Sequence, residues 1–198
     1  MITGTAHLRE HARKVASYYL TKKIAGSSKY DPDEVKKFIK QTHFIEGEDV
    51  DPEVVDGWVD FALGDASRPP KNRHPGVTGH LDVLTRRSLP TNVEDIEHMY
   101  SAIGEIGKIR GSGQEVKPKG EKKSPYTPSA HVRKELIDWL EEDKGKMGTI
   151  NSHVRFEKIH PANDGNGRVG RLILLLGGYP IKKLNDMIEN KSNYFKIF

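Results

Sequence analysis

Twelve consecutive residues gather the groups in this chain best suited to chemistry on a phosphate: His160-Pro161-Ala162-Asn163-Asp164-Gly165-Asn166-Gly167-Arg168-Val169-Gly170-Arg171. His160 is a candidate general base, because an imidazole changes charge near neutral pH. Asp164, four residues on, is a hard oxygen ligand suited to Mg²⁺ bridging phosphates. Gly165-Asn166-Gly167 lets the backbone turn with its N–H groups outward, and a helix starting there adds its own terminal donors. Arg168 and Arg171 contribute forked, permanently charged donors. The layout suits a polyphosphate. The Gly-Lys-Ser/Thr of a P-loop is absent, which excludes a Walker-type nucleotide site.

These groups need helices on both sides. Val154, Phe156 and Ile159 predict a helix opened by Asn151 or Ser152 and running into His160. A very apolar helix is expected over about 168–176, ended by Gly177-Gly178. Upstream, Asp31-Pro32-Asp33-Glu34 and Asp51-Pro52-Glu53 are helix starts, with a capping Asp, a Pro and acids in the first turn. The first helix carries Val35, Phe38 and Ile39 to about His43, and the second ends near Gly64. Asn92 caps a helix with Val93, Ile96, Met99 and Tyr100, and Ser129 is expected to cap another with Val132, Leu136, Trp139 and Leu140. A helix is also expected over 9–24. Pro69, Pro70, Pro75 and Pro90 mark residues 64–92 as irregular, with some helix around 81–87. Residues 104–128 collapse into Gly, Lys and Pro, as in a mobile loop or small hairpin.

Composition narrows the class. The chain has 198 residues, 30% charged and 35% hydrophobic, and no Cys. That suits one folded domain and excludes a disulfide scaffold, a Cys-ligated metal and a cysteine nucleophile. The longest apolar run, Leu172 to Leu176, is too short for the ~20 residues of a membrane span. No apolar leader is visible at the N-terminus, so a cytoplasmic protein is expected. The net charge of +4 conceals strong polarity. Residues 31–65 hold 3 basic and 11 acidic side chains, while 151–198 hold 8 basic and 4 acidic. Lys117, Lys119, Lys122 and Lys123 have no interleaved aromatics, which argues against nucleic acid. His7, His11, His74, His80, His98 and His131 show no metal-ligand spacing.

The segment from His160 resembles the signature of the Fic family, His-x-Phe-x-Asp/Glu-Gly-Asn-Gly-Arg-x-x-Arg. His160, Asp164, Gly165, Asn166, Gly167, Arg168 and Arg171 all match. The signature's Phe is Ala162 here, which predicts a weaker anchor for the loop. Gly107-Lys108-Ile109-Arg110 is similar to the start of the family's flap, and Ser192-Asn193-Tyr194-Phe195 to its adenine-flanking aromatics. Thr42-His43-Phe44-Ile45-Glu46-Gly47 is similar to the inhibitory pattern Ser/Thr-x-x-x-Glu-Gly/Asn; on its own it would read as a helix C-terminus.

The resemblance implies an all-α fold, a Fic-type helical bundle with a small β-hairpin flap. It implies one domain over 1–198, with an inhibitory helical segment over about 30–65, a catalytic core over about 92–198 and the flap near 107–126. It implies transfer of AMP from ATP, with Mg²⁺, to a Ser, Thr or Tyr hydroxyl of a target protein docked at the flap. His160 would be the base. Asp164 would hold the metal. Gly165, Asn166, Gly167, Arg168, Arg171 and Tyr194 would bind ATP. Glu46 would inhibit by pairing with Arg171, and it is also a candidate base for removing AMP. A homodimer is compatible with the resemblance. Two alternatives stay open: an inactive nucleotide-binding Fic-like module, and a relative transferring a different phosphate-containing group.

Overall fold

A computed structural model describes residues 30–63, 66–105, 107–118 and 124–198. The helix expected over 9–24, with His7 and His11, lies outside them. Nine helices occur among the described residues: α1 Pro32–Ile45, α2 Pro52–Leu63, α3 Pro75–Arg86, α4 Val93–Ala102, α5 Val132–Glu142, α6 Ile150–Ile159, α7 Asn166–Leu176, α8 Ile181–Glu189 and α9 Lys191–Phe195. The described residues contain no strand, so the fold is all-α. The hairpin expected near 107–126 is not formed by its described part, which runs as turns and irregular chain.

Helix starts follow local chemistry. The Asp31 carboxylate accepts from the Asp33 and Glu34 N–H groups, and Asn92 accepts from Asp95. Four readings are corrected. α3 begins at Pro75, well before 81, because Pro at a first helical position presets φ and needs no N–H partner. The cap of α6 is Thr149, whose hydroxyl accepts from Ser152 N, rather than Asn151 or Ser152. Ser129 does not cap α5, which follows His131; its hydroxyl donates to Glu115 Oε1 at 2.6 Å and accepts from Gly113 N at 2.9 Å. α7 begins two residues earlier than expected, at Asn166. α8 and α9 were not foreseen; they lie beyond Gly177-Gly178, which end the last helix expected from the sequence.

α7 is the axis of the core. Val169, Leu172, Ile173, Leu174 and Leu175 are all buried, and α7 packs against α6, α3, α1 and α4. α1 lies chiefly against α8 and α2, seating Val35, Phe38 and Ile39 at the i, i+3, i+4 spacing of one face. Full burial of Phe38 and of Ile39 contributes about 1.5–3 kcal/mol each. Lys191 Nζ also donates to Ile45 O at 3.0 Å, closing the C-terminus of α1 onto α9. Apolar packing therefore delivers the end of α1 to the start of α7. No helix among the described residues is long and apolar enough to cross a membrane.

Candidate active site

His160 ends α6 in the left-handed conformation, φ 51° and ψ 65°, which costs a residue with a Cβ about 1–3 kcal/mol. Burial is the main force pushing its imidazole down to about 4, helped by the Arg110 charge and opposed by a hydrogen bond to Glu157 O. At neutral pH the ring is an uncharged base. Its Nδ1 lies 3.3 Å from Glu157 O; an Nδ1–H donated there leaves the Nε2 lone pair free. The Tyr126 ring stacks on the imidazole, with centroids 3.7 Å apart and planes 12° from parallel.

The turn after His160 is fixed by Asn166. Its Oδ1 accepts from Ala162 N at 2.9 Å and from the Tyr100 hydroxyl at 2.7 Å, and its Nδ2 donates to Ala162 O at 2.9 Å. Ala162 is buried. The loop is anchored here by the Asn166 side chain, which bonds the Ala162 backbone on both sides. Asp164 is 76% exposed and accepts from Gly165 N at 2.6 Å. No group of three or more His, Cys, Asp or Glu among the described residues is arranged to hold a metal ion; Asp164 stands as a single hard ligand beside the turn.

Both arginines are occupied by carboxylates. Arg171 is buried, and its Nη2 donates to Glu46 Oε1 at 2.5 Å. Its other donors go to Thr42 Oγ1 at 2.6 Å, Thr42 O at 3.2 Å and the Tyr194 hydroxyl at 3.1 Å. Burial opposes the charge on Arg171, and Tyr194 and Glu46 outweigh it, so its pKa is raised. Arg168, equally buried, pairs with Glu105 at 2.6 Å and Glu48 at 2.8 Å, with Asp164 at 3.6 Å.

Local geometry explains how two carboxylates come from one short segment. After α1, Glu48 N donates to His43 O and Gly47 N to Phe44 O, a Schellman closure that requires the positive φ of Gly47, 82°. Glu46 and Glu48 flank that turn and reach Arg171 and Arg168 respectively. Gly167 leaves room for Glu46, since a Cβ there would collide with Glu46 Oε1. Glu48 Oε2 also contacts His43 Nδ1 at 2.6 Å.

Beneath Arg171 lies a polar layer. Burial, then the Arg171 charge, push His153 down to about 3; its Nε2 lies 3.0 Å from the Tyr194 hydroxyl. Burial pushes the Glu157 carboxyl up to about 8 despite Arg171, and its Oε1 has no hydrogen-bond partner among the described residues. Tyr194 is buried here, with Arg171 over its ring at 5.4 Å.

The structure thus brings His160, Asp164, Gly165, Asn166, Gly167, Arg168, Arg171, Tyr194 and Glu46 to one place. Sequence reasoning missed Glu48, Glu105 and Tyr126. Only Glu48 left a signal, as the second acid of Glu46-Gly47-Glu48.

Residues 90–176 match the model of the Fic/DOC family. Over 80 residues, 38% of this chain, the sequence is 35% identical to the protein named "Probable protein adenylyltransferase" of Aquifex aeolicus (strain VF5), and the chain covers 25% of that relative's length. The fold is similar to a Fic family protein from Desulfovibrio desulfuricans G20, with a TM-score of 0.59 at 20% identity, covering 99% of this chain and 66% of that one. The match to a Fic/DOC family domain is thus confined to residues 90–176.

Proposed function

We propose that this chain is a self-inhibited protein adenylyltransferase, transferring AMP from ATP to a Ser, Thr or Tyr hydroxyl of a protein docked at the segment 107–126. The observation that carries this reading is an uncharged imidazole, His160, placed one turn before a backbone anion site with two arginines. The relative named an adenylyltransferase supports ATP as the substrate.

In the proposed reaction the target oxygen forms a bond to the α-phosphorus, and the bond from that phosphorus to the α–β bridging oxygen breaks. Pyrophosphate leaves with the bond's electron pair, and the hydroxyl proton passes to His160 Nε2. The N–H groups of Asn166 and Gly167, with Arg168, face the developing charge. Arg171 holds the terminal phosphate. An exposed single carboxylate fits Mg²⁺, which takes one or two protein ligands and completes its shell with phosphates and water; Asp164 would hold it, and the ion would neutralise phosphate charge.

Glu46 is the proposed brake. It occupies Arg171, so ATP must displace a carboxylate to seat its terminal phosphate. A protein extract given ATP labelled at the α-phosphorus tests the reading. Glu46→Gly should label most, the wild type less and His160→Ala not at all. Equal labelling by all three overturns it.

A further inference from the structure

We propose that Arg110 and Tyr126 are positioning residues for His160, clamping the turn that carries it to Arg110 on one side and to Tyr126-Thr127 on the other, so that seating these residues and aiming the base are one event. This rests on the reading of His160 as the base.

Arg110 is 2% exposed, and its guanidinium donates to backbone carbonyls. Nε donates to His160 O at 2.7 Å and Nη2 to Ile159 O at 3.1 Å. These are carbonyls at the C-terminus of α6, which lack helical partners. Nη2 also donates to Thr127 O at 2.5 Å and Nη1 reaches Gln114 O at 3.4 Å. Its own N–H donates to Pro161 O at 2.8 Å, and Thr127 N donates to Lys158 O at 3.0 Å. Residues 110 and 127 are therefore both bonded to the 158–161 turn. The nearest carboxylate, Glu115, lies 3.7 Å away and is half exposed. Only a planar fork reaches carbonyls on both sides at once; an ammonium is a point donor.

Tyr126 completes the clamp from the side-chain direction. Its ring lies flat on the imidazole one residue before the Thr127 carbonyl that Arg110 holds. The charged or titratable groups bearing on His160 are Arg110, Glu46, Asp164 and Tyr126, with Glu157 through its carbonyl. Removing the Tyr126 ring admits water to one imidazole face and frees its rotation.

The test is an NMR pH titration of His160 in protein labelled at histidine, without nucleotide. In the wild type the midpoint should lie well below the ordinary value of about 6.5. Tyr126→Ala should raise it by about one unit or more, and Tyr126→Phe, which keeps the stack, should restore it. In the Glu46→Gly background, Tyr126→Ala and Arg110→Lys should each lower kcat about tenfold or more while KM for ATP moves less than about twofold, as for loss of an aimed base. An unchanged His160 midpoint in Tyr126→Ala, or a loss confined to KM, overturns the proposal. If Arg110→Lys does not fold, the Tyr126 pair decides alone. If no variant transfers AMP, the proposed function fails, while the titration still settles whether the clamp sets His160.

Discussion

Replacing Glu46 by Gly removes the carboxylate from a buried guanidinium. At a charge separation of about 4 Å and an effective dielectric near 20, the pair is worth about 4 kcal/mol before desolvation. Glu46 is 30% exposed, which reduces this to about 2–3 kcal/mol. A bias of about 2.7 kcal/mol keeps ~99% of molecules closed. Losing it frees Arg171 in about half of them, a gain of up to about 50-fold at subsaturating ATP. The same change destabilises the fold. Arg171 keeps Thr42 and Tyr194, so the low end of the cost of breaking a buried pair applies, about 3 kcal/mol. That lowers Tm by about 6–12 °C. ATP should restore more of this loss in the variant than it adds to the wild type, because its phosphate becomes the missing partner. The assays are the initial rate of label transfer against ATP concentration, and melting with and without ATP. An unchanged rate together with an unchanged Tm would refute the reasoning.

Glu48→Gln should raise transfer by a smaller factor, about two- to fivefold, since Arg168 keeps Glu105 and the lost pair is partly exposed; initial rates check this. Asn166→Ala removes three buried hydrogen bonds and should cost about 3 kcal/mol, read as a Tm loss of about 6–12 °C. His153, held near 3 in the fold, stays neutral while the unfolded chain takes up a proton below about 6.5. Stability is therefore lost as pH falls, by about 2 kcal/mol between pH 7 and 5. His43 and His80, also lowered by burial, act in the same sense. Glu157, raised to about 8, acts oppositely: its contribution is full below the unfolded value near 4.5 and lost as pH rises towards 8. Melting against pH should show Glu157→Gln more stable than wild type above pH 7, and falling more steeply on acidification.

The turn at 164–167 was legible because its chemistry is contiguous: the glycines, Asp164 and the arginines sit within one loop and the helix it opens. The start of α1 was legible for the same reason, Asp31 capping its own first turn. Partners chosen across the fold were not. Glu105 meets Arg168 across 63 positions, and Tyr126 stacks on His160 from the far end of an irregular segment. Ser129 shows how local rules fail, because Glu115 and Gly113 take up the hydroxyl that a cap would use. Tyr194 was legible as an aromatic of the site, but not as a hydrogen-bond partner of Arg171.

The central claim is that His160 drives AMP transfer once Glu46 is withdrawn. It is tested most directly by giving the Glu46→Gly variant and a protein acceptor ATP labelled at either the α- or the γ-phosphorus. The account predicts that the α label becomes covalently attached to protein, that the γ label leaves as pyrophosphate, and that adding His160→Ala abolishes attachment. Retention of the γ label, or α labelling that survives loss of His160, would contradict it.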